Sequence, residues 1–316
     1  MNLSIQPVIL TFNNYDITFK VIDCLKEFDE DYFLTPLCFD NSEDSYIQKQ
    51  TDKIKNYIFE NSKYIKGSSS NTACNSILDS PKNSNASYFW FLGDDFPRSK
   101  HQYILINMLK KNMPDQIFFN YINFDNKKKV RPYNDFIQIV NLLPAVLRRF
   151  FIHRFFGLNL AFMPAFFVER NVICSVHNLP LTRLLPLKIS LTSRNIFYCK
   201  YSIFEAGNFT KRMSKELFLE VFFDDFLKEV NVFDFVYWSW LLRCCFASLY
   251  NYGIYPKDIK KIYLKNKKVL KKTSIKNNKL YYFSRFIFFE ISLYSLSINY
   301  FFRKIFLSNL FFNYKK

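Results

Sequence analysis

The stretch YFWFLGDD, residues 88–95, decides the fold of this chain. A short run of bulky apolar residues that stops at glycine predicts a buried β-strand over Tyr88–Leu92. Two carboxylates directly after a buried strand are costly unless they meet a ligand, and carboxylates bind hard cations that in turn bind diphosphates. Asp94 and Asp95 are therefore a candidate metal and diphosphate site. The alternative is a solvated turn, or a helix N-cap at Asp95.

The segments around this strand alternate between strand and helix patterns. Short apolar runs predict further strands, and apolar residues at helical spacing predict helices between them. The predicted strands are Pro7–Phe12, Tyr32–Phe39, Lys63–Ile65 and Gln116–Ile122; the predicted helices are Tyr15–Phe28, Tyr46–Phe59, Thr72–Leu78 and Lys100–Lys111, with a polar connection over Ser80–Ser87. The alternation predicts an α/β fold with a mostly parallel sheet covered by helices.

Polar residues follow three of the predicted strands at the point where each strand ends. Asn13 follows the first strand, Asp40 follows the second, and Asp94 follows the strand Tyr88–Leu92. In such sheets a ligand lies at the carboxyl ends of the strands. A carboxylate in the loop Asp40–Asp44 can accept hydrogen bonds from a ribose or a base, although alone this loop reads as an ordinary acidic turn.

Composition limits the classes of protein that fit. The 316 residues are 49% hydrophobic, so the chain is not disordered, and 44 Lys and Arg against 27 Asp and Glu give a net charge of +17. Such a surplus points to an anionic partner: a phosphate-rich ligand, a nucleic acid or an anionic membrane face. Seven cysteines without a C-x-x-C pair, and three scattered histidines, predict neither a disulfide framework nor a zinc site and fit a reducing cytosol.

We expect neither a signal peptide nor a membrane-spanning helix. The N-terminal residues lack a basic segment followed by an apolar core, and no run of about 18 uncharged apolar residues occurs. The two nearest candidates, 150–168 and 232–250, are each interrupted by charged residues.

Four motifs follow one another along the chain: Val8–Asn14 (VILTFNN), Phe39–Asp44 (FDNSED), Gly67–Asn75 (GSSSNTACN) and Phe91–Phe96 (FLGDDF). In order and spacing they resemble those of family 2 glycosyltransferases of the GT-A fold, of the rhamnosyltransferase-like kind that builds bacterial surface polysaccharide. Two departures occur: Gly67 and Ser69 stand where the family usually has Asn and Gly, and Phe96 replaces a third acid often found in the metal motif.

The resemblance implies a fold and a set of roles. The fold would be GT-A, a Rossmann-like mixed and mostly parallel sheet flanked by helices, followed by a helical, basic C-terminal region. Thr11, Asn13, Asp40 and Asn71 would line the nucleotide-sugar pocket, with Asp40 at the base. Asp94 and Asp95 would hold Mn²⁺ or Mg²⁺ and the sugar diphosphate, Asp95 taking part in catalysis.

The acceptor half is less defined. An inverting transferase needs an acidic residue to take the proton of the acceptor hydroxyl. Glu169 is the best-placed candidate, followed by Glu205 and the Asp224–Asp225 pair; the alternative for Glu169 is an exposed acid paired with Arg170. The segment 193–198 (SRNIFY) is similar to an Arg-containing segment of the family, so Arg194 could bind diphosphate or be a surface residue.

The C-terminal third indicates a location. Ten lysines lie within 256–280 against one acid, beside an aromatic-rich segment over 283–314. Clustered lysines beside aromatic amphipathic segments suit an anionic inner leaflet, at roughly 1 kcal/mol per basic residue. The alternative, which is compatible with the first, is a helical subdomain packed on the core with one solvated basic face.

The leading hypothesis is a cytoplasmic glycosyltransferase, peripheral on the inner face of the cell membrane. It would transfer a hexose or deoxyhexose to a lipid-linked or surface-polysaccharide acceptor, such as O-antigen or capsule. The predicted regions are a nucleotide-sugar-binding half over 1–125, an acceptor-binding half over 126–230 and a membrane-associating region over 231–316. The alternatives are a basic nucleic-acid-binding protein, which the acids at strand ends disfavour, and a GT-A-fold protein that has lost activity.

Overall fold

The computed structural model describes residues 3–67, 73–93, 95–123, 166–176 and 192–206, and the single positions 185, 189 and 261. Contacts divide the chain into two compact units, Met1–Ile152 with Asn159–Phe209, and His153–Leu158 with Thr210–Lys316. All described residues except Lys261 belong to the first unit. The sequence boundaries at 125/126 and 230/231 stay predictions.

The described part of the first unit contains eight strands in one sheet. The strands are β1 (Ile5–Thr11), β2 (Leu37–Asp40), β3 (Lys63–Lys66), β4 (Tyr88–Leu92), β5 (Phe96–Pro97), β6 (Gln116–Asn123), β7 (Phe166–Glu169) and β8 (Ile196–Ala206). Their order across the sheet is β3-β2-β1-β4-β7-β6-β8-β5.

Six of these strands run in one direction, and β5 and β7 run against them. Strands β3, β2, β1 and β4 pair in parallel. Strand β7 is antiparallel to both β4 and β6, so β6 runs parallel to β4. Strand β8 is parallel to β6, and the two-residue β5 is antiparallel to β8. We call the edge where the six strands end the carboxyl edge and the opposite one the amino edge.

The described residues contain six α-helices: α1 (Tyr15–Leu25), α2 (Asp44–Lys49), α3 (Asp52–Asn61), α4 (Ala73–Asn83), α5 (Gln102–Asn112), preceded by a 3₁₀ turn at Ser99–His101, and α6 (Arg170–Ser175). Helix α1 packs against α3, and α4 packs against α6. The predicted mixed, mostly parallel sheet flanked by helices is confirmed. In the described residues no helix is both long and apolar enough to cross a bilayer.

The core lies around β4. All five of its residues are buried, and the Trp90 ring packs edge-on against Phe28 and Phe33 from the loop region after α1. Burial of each such side chain stabilises the fold by about 1.5–3 kcal/mol. Strand β4 is therefore held rigidly, and so is the point where it ends.

Three element boundaries differ from those predicted. Phe33 makes only an isolated bridge to Ile5, and the regular second strand begins after Pro36, at Leu37. The predicted helix over 46–59 is two helices, because Gln50 and Thr51 are extended. Helix α4 continues through Pro81 to Asn83, where a polar connection was predicted. Apart from Lys261, the basic C-terminal region over 256–280 and the aromatic-rich segment over 283–314 lie outside the described residues.

Candidate functional site

The sheet order creates a crevice between β1 and β4 at the carboxyl edge. From β1 the chain proceeds outward to β2 and β3, and then returns to the other side of β1 to form β4. This reversal is the topological switch point at which open α/β sheets bind ligands. The register places Ile9 beside Leu92, so the residues after Thr11 and the Gly93–Asp95 turn leave the sheet next to each other.

Asp40 lies at this edge as a fully buried carboxylate. Its Oδ2 accepts hydrogen bonds from the Tyr15 and Tyr64 hydroxyls, the latter at 2.7 Å, and its Oδ1 accepts one from the Ser42 backbone N–H at 2.9 Å. Burial, and then hydrogen bonding to Asp40, raises the pKa of both tyrosines, so they remain neutral donors. The structure thus gives Asp40 three internal partners that anchor the loop after β2.

Asn13 joins the loops after β1 and β2. Its φ of 49° is in the left-handed region, which asparagine tolerates better than most residues. In this conformation its backbone N–H donates to Ser42 Oγ at 2.8 Å, and its Oδ1 accepts from the Glu43 N–H at 3.1 Å. Thr11 is also buried, and its Oγ1 accepts from Thr18 Oγ1 at 2.7 Å. The two loops therefore hold each other in place.

Gly67, directly after β3, packs against the loop that follows β2. The loops after β1, β2 and β3 are here called the loop cluster. A Cβ on Gly67 would lie 2.0 Å from Asn41 Oδ1, so only glycine fits against that buried amide. The amide also donates from Nδ2 to Ser76 Oγ on α4 at 3.2 Å. Asn71, predicted to line the nucleotide pocket, lies outside the described residues.

Asp95 follows β4 at the same edge and is 4% exposed. Asp94 lies outside the described residues, while a Cβ on Gly93 would meet nothing within 4 Å, so there is open space beside this turn. The chain then forms β5, in which Phe96 pairs with Glu205 at the end of β8. Glu205 is thereby placed across from the residue that follows Asp95.

Glu169 and Arg194 lie at the amino edge, and the structure does not bring them together with Asp95. Glu169 pairs with Tyr88, the first residue of β4, roughly 13 Å from Leu92 at about 3.3 Å per residue. Its carboxylate accepts from the Asn171 and Val172 N–H groups and caps α6. The Arg194 N–H donates to Asp115 Oδ2, beside the start of β6. Of the other candidate bases, Asp224 and Asp225 lie outside the described residues.

Three residues at the carboxyl edge were missed by reasoning from the sequence. Phe12 is 54% exposed directly beside Asn13, and the polar turn that follows a predicted strand could have indicated this. Tyr15 and Tyr64 meet Asp40 only through the tertiary fold, so no local pattern indicated them.

The donor set of the site suits a hard cation. Oxygen-only side chains such as Asp94 and Asp95 are what Mg²⁺ and Mn²⁺ prefer. Among the described residues, which exclude Asp94, no group of three His, Cys, Asp or Glu side chains gathers closely enough to hold a metal ion. A metal ion at this edge would therefore need further ligands besides those of the described residues, from Asp94, from other residues outside that part of the chain or from the bound molecule.

The sheet order, the switch point and the acidic pair Asp94–Asp95 that follows β4, here called the acidic turn, together define a class of fold that solved structures share. No protein-family model matches the sequence, and no curated protein matches it significantly. By contrast, the fold is similar to that of S. aureus TarS 1–349, a GT-A glycosyltransferase, in complex with UDP-GlcNAc (TM-score 0.51, 11% identity, 78% of this chain and 72% of that one) and with UDP (0.50, 12%, 78% and 71%). The chain therefore has the GT-A glycosyltransferase fold.

A weaker likeness links the chain to glucosyl-3-phosphoglycerate synthase from Mycobacterium tuberculosis in complex with Mn²⁺, UDP and glucosyl-3-phosphoglycerate. Its TM-score is 0.41 at 12% identity, over 65% of this chain and 72% of that one. A TM-score this low does not support inference about the present site.

Proposed function

We propose that this protein is a glycosyltransferase that moves a sugar from a nucleoside-diphosphate donor to a lipid-linked or surface-polysaccharide acceptor. The observation that carries the proposal is the GT-A fold with an acidic turn at the switch point between β1 and β4. At this edge Asp95 follows a rigid buried strand, beside a loop cluster whose members are already bonded to each other. A donor nucleotide fits such a crevice because parallel strands direct their carboxyl ends toward one ligand.

The nucleoside would bind against the loops after β1 and β2. Phe12 offers an exposed ring face, and a base stacks on such a face with a gain of about 1–3 kcal/mol. Asn13, Thr11 and Asp40 give this pocket its shape through their internal hydrogen bonds. Asn71, four residues after Gly67 in the sequence, would complete the proposed nucleotide-sugar pocket.

The diphosphate would lie over Asp94 and Asp95. Mn²⁺ or Mg²⁺ held by these two carboxylates would supply Lewis-acid neutralisation of the charge on the leaving nucleotide. Asp95 is buried, so its carboxylate is held in one position and its interaction with a cation is less screened than on the open surface. We further propose that transfer inverts the anomeric centre and that the basic C-terminal region brings the protein to an anionic membrane surface.

Calorimetric titration tests the donor site directly. UDP, GDP, dTDP and CMP are titrated into the full chain with Mn²⁺ or Mg²⁺, and again with EDTA. We expect metal-dependent binding of one nucleotide, lost in Asp95→Ala and retained in the matched amino-edge variant Glu169→Ala. A folded protein that binds none of the four would overturn the proposal.

A second candidate is a GT-A-fold protein that binds a donor without transferring its sugar. It is favoured by the position of Glu169, which caps a helix at the amino edge instead of facing the crevice. Nucleotide binding without release of nucleotide from the matching sugar donor, in the presence of membrane extract as acceptor, would support this candidate over the first.

A further inference from the structure

Arg98 lies three residues after Asp95 and is tied to the end of β8. Its backbone N–H donates to the Ile203 carbonyl at 2.8 Å, and its guanidinium Nη2 pairs with Glu205 Oε1. The two partners differ in exposure: the Arg98 side chain is 41% exposed and that of Glu205 is 5% exposed. The buried carboxylate therefore holds the guanidinium, while part of the Arg98 side chain stays exposed.

The pairing with Glu205 involves one nitrogen of the guanidinium. A buried carboxylate requires a cationic or hydrogen-bonding partner, and one nitrogen of Arg98 supplies it. A guanidinium carries five N–H donors in a planar fork, which matches the oxygens of a phosphate group. Glu205 also limits the rotamers of Arg98, so less conformational entropy is lost when the outer N–H groups bind an anion.

The other described arginines and Lys66 are placed differently. Arg170 donates to the Pro81 and Ser84 carbonyls at the end of α4, and Arg194 lies at the amino edge. At the carboxyl edge, Lys66 Nζ contacts Asp44 Oδ1 and the Ser42 carbonyl, both at 3.0 Å. Among the described residues, Arg98 is thus the arginine that pairs with the carboxyl end of a strand, three residues after Asp95.

We propose that Arg98 binds the diphosphate of the donor nucleotide and that Glu205 is its positioning residue. The inference rests on the proposed function and deepens it, because it assigns the group that meets the phosphates alongside the acidic turn. It replaces Arg194, the arginine that the sequence had indicated for this role. The charge of Arg98 offsets that of the diphosphate, while Glu205 keeps the guanidinium at the edge of β5.

The test compares UDP with uridine, which shares the nucleoside and lacks the phosphates. Both are titrated calorimetrically with Mg²⁺ into the wild type, Arg98→Met, Arg98→Lys and the matched control Arg194→Met. Charged hydrogen bonds of this kind change affinity by about 10- to 100-fold. We expect Arg98→Met to weaken UDP by that factor with uridine within about twofold, Arg98→Lys to be intermediate, and Arg194→Met to match the wild type.

Two further variants distinguish loss of the phosphate contact from loss of folding. Arg98→Met leaves a buried carboxylate without its cation, so the double variant Arg98→Met/Glu205→Gln removes that charge as well, and it should show the same selective loss of UDP. Glu205→Gln alone should weaken UDP severalfold and leave uridine unchanged. Equal UDP affinity in Arg98→Met and wild type, equal losses of UDP and uridine, or a loss in Arg194→Met instead, would each overturn the inference with the proposed function intact. Absence of UDP and other nucleoside diphosphate binding in the wild type would overturn both.

Discussion

Replacing Asp40 with asparagine separates its structural contribution from a contact with ligand. The carboxylate accepts from two tyrosine hydroxyls on Oδ2 and from the Ser42 N–H on Oδ1, with no exposed surface. Asparagine has the same shape, but one of its two oxygens becomes an NH₂ donor. With the NH₂ group toward Ser42, a donor meets the backbone N–H. With the NH₂ group toward Tyr15 and Tyr64, both hydroxyls lose their acceptor and must turn. In both orientations the remaining hydrogen bonds lose their charge.

The magnitude follows from those three hydrogen bonds. Hydrogen bonds to a charged acceptor contribute about 1.5–3 kcal/mol each, against about 1 kcal/mol for neutral ones, and an unmatched buried donor adds a penalty of about 1–3 kcal/mol. Since the tyrosine hydroxyls can reorient and recover part of this, we expect Asp40→Asn to lower the free energy of unfolding by about 2–4 kcal/mol. That is a large share of the roughly 5–15 kcal/mol of an ordinary domain.

Urea unfolding followed by tryptophan fluorescence measures this change, because Trp90 is fully buried in the same unit. The matched control is Asp44→Asn in the same loop. Asp44 pairs with Lys66 at 3.0 Å but its side chain is 84% exposed, so its removal should cost less than about 1 kcal/mol. If Asp40→Asn unfolds within about 0.5 kcal/mol of the wild type while nucleotide affinity falls tenfold, the buried-network reasoning is wrong and Asp40 acts on the ligand.

Three further changes test other parts of the fold. Gly67→Ala should lower the free energy of unfolding by about 1–3 kcal/mol, measured in urea, because its Cβ would collide with the Asn41 amide. Tyr15→Phe should flatten the alkaline pH dependence of stability: the raised pKa of Tyr15 means that its contribution is complete below pH 10 and is lost above it, at about 1.4 kcal/mol per pH unit. Glu169→Ala should cost about 0.5–2 kcal/mol through loss of the α6 cap and leave nucleotide affinity unchanged, by thermal unfolding and calorimetry.

Each of the three has a control and a contrary result. Gly93→Ala, where a Cβ meets open space, should be nearly neutral, and equal stability of both alanine variants would contradict the packing argument. For Tyr15→Phe, urea midpoints between pH 8 and 11 that fall in parallel with the wild type would refute the assignment. Glu169→Ser keeps a capping oxygen and should retain stability; a loss of nucleotide binding in Glu169→Ala would place that residue back in the site.

The sequence predicted the half of the sheet that contains β1 to β4, because buried strands and the helices between them have different apolar periods. It also placed Asn13, Asp40 and Asp94 at one edge, since parallel strands end on the same side. Asn13, Asp40 and Asp95, the neighbour of Asp94, lie at that edge among the described residues. The apolar period of a strand does not indicate the direction in which the strand runs in the sheet. Strand β7 runs antiparallel to β4, so the acid at its end, Glu169, lies at the amino edge and not beside Asp95.

Contacts between residues far apart in the sequence could not be predicted from local sequence patterns either. The acidic loop after β2 gave no sign that Tyr15 and Tyr64, 25 positions before and 24 after, would occupy both sides of one Asp40 oxygen. Glu205 became a neighbour of the acidic turn only through the two-residue strand β5, too short to be recognised by alternation. Pro81 belongs to the predicted polar connection over Ser80–Ser87, yet it lies in the last turn of α4 and its carbonyl accepts from Arg170.

The hydrogen bonds between Asn13 and the loop after β2 also affect how a nucleotide would associate with the protein. Because Asn13 bonds Ser42 and Glu43 directly, contacts within the protein hold this wall of the crevice in shape. A nucleotide would then encounter a formed surface, and little of its interaction free energy would be spent on ordering loops. Association should follow a single concentration-dependent phase, with amide hydrogen exchange at residues 11–15 and 40–44 already slow in the ligand-free protein.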